Sequence, residues 1–205
     1  MGAVLYIHGR GGSAAEAERF APLFPDKKVV GLDYKTFTPW EAGAEIRAAV
    51  TELQRRFGGV ILIANSIGAF FALNAGVEEC VEKAYFISPV VDMEKLIRGM
   101  MALEGVSEAE LKEKDVIVTT SGEELSWEYL HYVREHPIRW NVPTRILYGE
   151  NDALVDYETI SAFAEKHGSD VTVIRCGEHW FHTPEQLAFL DGWIADGEAA
   201  GRIYG

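Results

Sequence analysis

The sequence predicts a doubly wound α/β fold: a mainly parallel, six-stranded sheet with helices on both faces and a small helical insertion. Three observations predict it. Short apolar runs alternate with helix-length segments along most of the 205 residues. The runs are nearly continuously apolar, as strands covered on both faces are. The alternation then breaks once, between residues 88 and 144, where helical patterning continues without a clear strand. Strand, helix and parallel strand in repetition is the signature of a doubly wound sheet.

Taken in order, strands are expected at 3–8, 28–33, 60–64, 83–88, 144–148 and 170–175. Each is rich in Val, Ile, Leu or aromatic residues and bounded by Gly, Pro, Asp or Asn. Helices are expected at 39–57, 67–80, 157–167 and 183–195; in the last, Leu187, Leu190 and Ile194 recur at helical spacing. Within the insertion, Met93, Leu96, Ile97, Met100 and Met101 mark an amphipathic helix. The SEAE run at 107–110 offers a capping box, and LSWEYLHYVREH at 125–136 reads as a further helix. Residues 116–119 are the one strand candidate there. Residues 196–205 are expected to fray. The organisation expected is one domain over 1–205, with residues 89–143 forming a small helical cap over Ser66.

Composition bounds the function. Nineteen Lys and Arg face 32 Asp and Glu, a formal charge of −13. Such a field repels phosphate backbones, so nucleic acid is excluded as an expected partner. The apolar runs are too short to cross a bilayer, and the N-terminus lacks the basic, apolar and cleavage-site series of a secretory leader. Two cysteines, Cys80 and Cys176, cannot form a disulfide framework. The expectation is a cytoplasmic protein without membrane contact; oligomeric state is left open.

Ligands of parallel α/β sheets bind beyond the carboxyl ends of the strands, so the chemistry is sought in the loops there. The first strand is followed by His8-Gly9-Arg10-Gly11-Gly12 and the third by Ser66. The fifth runs into Gly149-Glu150-Asn151-Asp152 and the sixth into Gly177-Glu178-His179. A nucleophile, an acid and a base therefore stand at one sheet edge in the chain order Ser, Asp, His. Acyl transfer needs that set: the imidazole takes the serine proton, and the carboxylate orients the ring and stabilises the imidazolium. Rivals exist. Asp92 follows the fourth strand and competes with Asp152, although it also suits the N-cap of the methionine-rich helix. His182 competes with His179, although its place before Thr183-Pro184-Glu185-Gln186 suits capping.

On these residues the chain resembles the α/β-hydrolase family. Ala64-Asn65-Ser66-Ile67-Gly68 is similar to that family's small-x-Ser-x-small nucleophile elbow, with Ala in place of the usual first Gly. The resemblance implies a short member lacking the first two strands. It implies Ser66, Asp152 and His179 as catalytic triad, and the backbone N–H groups of Ile67 and Arg10 as oxyanion donors. It implies a serine hydrolase acting on a small acyl compound, an ester or a related thioester or amide, with no cofactor and no metal. Met100, Trp127 and Trp180 are the residues expected to line the substrate pocket, since pockets are lined largely by apolar and aromatic side chains. Two other readings stand beside it. One is a hydrolase-fold binding protein without activity. The other is a dinucleotide-binding oxidoreductase, because Gly9-x-Gly11-x-x-Ala14 and Asp33 resemble a nucleotide fingerprint.

Overall fold

The computed structural model describes residues 2–203. Contacts divide them into two units, one made of residues 2–91 and 140–203 and one of residues 92–139.

In the first unit, β1 (Ala3–Ile7) leads through a 3₁₀ helix over Ala14–Leu23 to β2 (Lys28–Leu32), then α1 (Pro39–Phe57) and β3 (Val60–Asn65). The 3₁₀ segment contains Pro22 and lies hard against β2: a Cβ on Gly31 would fall 1.9 Å from the Ala14 carbonyl oxygen. Only glycine permits that approach. Pro39 stands at the start of α1, where its missing N–H costs nothing, and Gly58 ends the helix at φ 92°. Ala42, Ile46, Val50 and Leu53 form its buried stripe.

The short α2 (Ile67–Leu73) follows β3, and its last six residues are all buried, which explains why that stretch carries no charge. The expected helix over 67–80 is shorter than anticipated. It stops at Leu73, and a separate 3₁₀ turn covers Glu78–Cys80, because Gly76 takes a positive φ of 65° between them.

After β4 (Val81–Ile87) the chain enters the second unit: α3 (Met93–Glu104), α4 (Glu108–Lys114), β5 (Val116–Val118), β6 (Glu124–Ser126) and α5 (Trp127–Glu135). Where the sequence offers one strand candidate, β5 and β6 pair as an antiparallel hairpin, and α5 begins two residues later than expected. With three residues on each side, the inward Leu125 is too isolated to show as alternation. Leu111, Leu125 and Leu130 give this unit its own small core. Arg134 joins its helices, bonding Glu94 at 2.8 Å and Glu108 at 2.7 Å. Ser107 caps α4 as expected, accepting from the Glu110 N–H.

The chain returns to the first unit with β7 (Thr144–Gly149), α6 (Tyr157–His167), β8 (Asp170–Ile174) and α7 (Pro184–Ile203). The six strands β2-β1-β3-β4-β7-β8 form one sheet, with every adjacent pair parallel. Alternate residues of β1 serve opposite faces. Val4 and Tyr6 join Phe20, Tyr85, Trp193 and Ile194 in a core cluster on one side. Ile7 faces α2 on the other, its Cγ2 3.0 Å from where a Gly68 Cβ would stand. Full burial of each such aliphatic or aromatic side chain contributes about 1.5–3 kcal/mol.

α7 is longer than the helix expected to end at Ala195: it continues to Ile203, and the last two residues lie outside those described. Glu198 explains the extension. Its carboxylate is buried, taking a hydrogen bond from the Tyr85 hydroxyl at 2.8 Å and an ion pair from Lys83 at 2.7 Å.

Candidate active site

Ser66 sits where β3 turns into α2, at φ 52° and ψ −121°. A side-chain-bearing residue there costs on the order of 1–3 kcal/mol and persists only when its surroundings enforce it. They do: its N–H donates to the Ile87 carbonyl at 2.9 Å, and its carbonyl accepts from Ala69 and Val90, each at 3.1 Å. The small flanks follow from crowding. A Cβ on Gly68 would lie 2.5 Å from the His8 carbonyl oxygen, and one on Gly9 would lie 3.1 Å from the Ser66 Cβ. Ala64, fully buried in the sheet, fits where it stands.

The acid and base loops are stitched to each other by backbone. The Glu150 N–H donates to the Ile174 carbonyl at 3.0 Å and the Asn151 N–H to the Gly177 carbonyl at 2.7 Å. Gly149 and Gly177 make the approach possible, since a Cβ on Gly149 would meet the Glu178 carbonyl oxygen at 2.4 Å. The Cys176 N–H adds a bond to Glu150 Oε2. Phe181, two residues beyond His179, is buried in the core cluster and anchors the far side of that loop.

The result is a relay. Asp152 Oδ1 accepts from the Leu154 and Val155 N–H groups at 2.8 and 3.0 Å, which leaves Oδ2 facing His179 Nδ1 at 2.7 Å. The Asp152 side chain is fully buried and that of His179 is 23% exposed. A carboxylate only accepts, so Nδ1–H donates and the Nε2 lone pair is left for Ser66, whose Oγ lies 2.8 Å away. The imidazole thus holds the tautomer that can take the serine proton.

The loop after β1 forms the opposite wall. The His8 ring is buried and stacked on Tyr34 at 4.3 Å, while the Tyr34 hydroxyl donates to the His8 carbonyl at 2.7 Å. His8 therefore shapes the loop. Gly9 and Arg10 line a cavity of about 360 Å³ together with Ser66, Leu154, His179 and Trp180. Ile67 is the first residue of α2, where helix geometry leaves the N–H without an intrahelical acceptor. Glu16 and Asn65 also line this cavity and were missed in the sequence. Asn65 stands at a variable position of the elbow pattern, which carries no chemical signal of its own. Glu16 reads as the fourth residue of a Ser13 capping box, and its bond from the Ser13 N–H at 2.9 Å fits that role. Burial first, then the hydrogen bond to Glu16, raises the Tyr6 phenol well above its ordinary value, so Tyr6 remains a donor to that carboxylate.

The rival residues have other partners. Asp92 caps α3, accepting from the Lys95 N–H at 2.9 Å. His182 is exposed; its ring bonds the Trp180 carbonyl, and its backbone N–H donates to Gln186 Oε1. The glycines of the nucleotide-like fingerprint open a 3₁₀ helix, and Asp33 pairs with Lys35 at 2.6 Å. Met100 and Trp127 belong to the 92–139 unit. Met100 is half-buried on α3; the Trp127 ring stacks on His131, with the Lys112 ammonium over it at 5.5 Å. Among the described residues no group of three or more His, Cys, Asp or Glu could hold a metal ion, and no helix is long and apolar enough to cross a membrane.

No family model and no curated protein matches this chain. Solved structures do. Est1E from Butyrivibrio proteoclasticus superposes with a TM-score of 0.76 at 16% identity, covering 97% of this chain and 87% of that one. Alpha/beta hydrolase domain-containing protein 10 from mouse gives 0.74 at 20% identity, over 97% of this chain and 90% of that one. A thermophilic esterase from Thermogutta terrifontis gives 0.64 at 14% identity, over 100% and 91%. Likeness that spans nearly the whole of both chains, on a parallel sheet with a serine at its strained central turn, settles the architecture: this chain has the α/β-hydrolase fold.

Proposed function

We propose that the protein is a serine hydrolase that cleaves an ester or related acyl compound through an acyl-enzyme on Ser66. The observation that carries this reading is the continuous relay from Ser66 Oγ through His179 to the buried Asp152. Ser66 Oγ attacks the acyl carbon while its proton passes to His179 Nε2, and Asp152 stabilises the imidazolium. The carbonyl electrons move onto oxygen, which the Ile67 and Arg10 N–H groups receive. Collapse breaks the bond to the leaving group, which takes the proton from Nε2. Water then attacks the Ser66 ester, giving its proton to Nε2, and the acid departs as Oγ is reprotonated. Several structural neighbours are esterases or hydrolases by name, which agrees with this chemistry. The charge of −13 disfavours phosphorylated or polyanionic substrates.

The test is a turnover screen of esters, thioesters and aminopeptides with wild type beside Ser66→Ala, together with labelling by a fluorophosphonate. Turnover of an acyl substrate that disappears in Ser66→Ala, with the probe located on Ser66 by peptide mass spectrometry, supports the reading. Equal turnover by the two proteins, or stoichiometric labelling elsewhere in the folded chain, rejects it.

A further inference from the structure

The cavity at Ser66 does not end at its indole wall. Adjoining it at Trp180 is a second cavity of about 340 Å³, lined chiefly by Tyr6, Phe20, Ile87, Phe181, Leu187 and Leu190. Glu16, Asn65 and Trp180 line both. We propose that the two form one bipartite substrate site, in which the second chamber takes an aromatic or branched aliphatic arm of the substrate and Glu16 receives a hydrogen-bond donor or positive charge carried on that arm. The proposal rests on the serine-hydrolase reading of Ser66 for its catalytic half.

Size supports it first. Sites for small organic ligands run from roughly 300 to 1,000 Å³. Either chamber alone stands at the bottom of that range, and the two in series make an ordinary site for a two-armed molecule.

Lining chemistry supports it next. The second chamber is walled mainly by aromatic and aliphatic side chains, and the shared Trp180 is 70% exposed although its indole is the largest apolar group nearby. A flat apolar arm would cover that indole face and recover burial that the fold itself leaves unused, at roughly 25 cal/mol per Å².

Charge then selects the arm. Glu16 Oε1 accepts from the Ser13 N–H at 2.9 Å and Oε2 from the Tyr6 hydroxyl. A carboxylate has about four acceptor sites, so capacity remains for a ligand donor. Cations line both chambers, Arg10 the first and Arg19 and His182 the second, and each has at least one partner. Arg19 is committed by one guanidinium nitrogen to Asp191 at 2.6 Å and to the Leu187 carbonyl at 2.8 Å. The Arg10 guanidinium lies over the Phe37 ring at 5.8 Å. His182 gives its ring N–H to the Trp180 carbonyl and stands 3.6 Å from Glu178. An arm bearing a carboxylate at the junction would meet the like charge of Glu16, whereas an amine or hydroxyl there would be matched.

Binding to the folded Ser66→Ala protein tests this apart from catalysis. Isothermal calorimetry would compare 3-phenylpropylammonium, 3-phenylpropionate and butylammonium. The arylammonium is expected to bind with Kd below about 1 mM, and the other two at least about tenfold more weakly, one lacking the charge match and the other the ring. Leu187→Trp, which fills the chamber, and Glu16→Gln, which keeps the acceptor of the cap and removes the charge, should each weaken the arylammonium by about five- to tenfold. If Leu187→Trp does not fold, Glu16→Gln carries the comparison. Equal binding of ammonium and carboxylate probes, or unchanged affinity in a folded Glu16→Gln variant, overturns the proposal. Fluorophosphonate labelling of Ser66 without arylammonium binding defeats the second chamber alone. Arylammonium binding without labelling defeats the hydrolase reading while leaving the chamber as a binding site.

Discussion

His179 Nε2 lies 2.8 Å from Ser66 Oγ, although 113 positions separate the two residues in the chain. The imidazole is already in the tautomer that accepts the serine proton, because its other nitrogen is spent on Asp152 at 2.7 Å. Ser66→Ala is therefore expected to lower kcat by roughly four to six orders of magnitude, and His179→Ala by nearly as much, since triad members act as a unit. Steady-state kinetics on an activated ester measures both. A His182→Ala variant as impaired as His179→Ala would reassign the base.

Asp152 and Asp92 should part company. Asp152→Asn replaces an acceptor with an amide that allows the wrong imidazole tautomer, and kcat should fall on the order of 10⁴. Asp92→Asn keeps a good N-cap on α3 and should leave activity within a few-fold. Asp92→Ala should cost about 1 kcal/mol of stability, visible in denaturant melts. A larger kcat loss in Asp92→Asn than in Asp152→Asn would reverse the assignment.

Gly149 offers a test of positioning without touching the triad. A Cβ there meets the Glu178 carbonyl oxygen at 2.4 Å and must push the acid and base loops apart. Displacing a catalytic group by about 1 Å can cost on the order of 10² in rate. Gly149→Ala should accordingly lose kcat while KM changes little, alongside a destabilisation of about 1–3 kcal/mol from overpacking. Full kcat in a folded Gly149→Ala variant would show that the stitched loops do not set the His179 geometry.

Alkali should reveal the buried phenols. Burial is the largest cause raising Tyr6, Tyr34 and Tyr85 above the ordinary tyrosine value, with Glu16 beside Tyr6 and Glu198 beside Tyr85 adding to it. In the unfolded chain these groups ionise near pH 10, about the reference value. Between that pH and the higher folded value the unfolded state has lost protons that the folded state keeps. The stability they contribute is thus complete below about pH 10 and declines as pH rises beyond it. Phenolate absorbance should show at least three of the eight tyrosines ionising only as the fold is lost. Titration of all eight in a protein still folded by circular dichroism would refute this.

Much of the architecture was legible because burial leaves a local imprint. Strands covered on both faces show as continuous apolar runs, and all six main strands lie within two residues of their expected bounds. The strand-ending serine, aspartate and histidine could be read as a set because a parallel sheet gathers its carboxyl ends at one edge. The insertion announced itself by its break in alternation. Its hairpin did not, since three residues a side are too few for a period of two to register.

By itself, then, the chain determined its order of elements, the strand-to-helix turn at Ser66 and the residue types at the carboxyl edge of the sheet, all of which leave a local pattern. Tertiary structure alone decided what depends on distant partners. The length of α7 is one case, held by a Glu198–Tyr85 bond across 113 positions that no local pattern records. The closeness of the acid and base loops is another, resting on the Asn151–Gly177 backbone bond and on glycines whose necessity appears only when the two loops are in contact. The chamber that shares Trp180 is a third, because its walls come from β1, the first 3₁₀ helix, the ends of β3 and β4, the His179 loop and α7. A cavity is the space left between elements, and only their packing defines it.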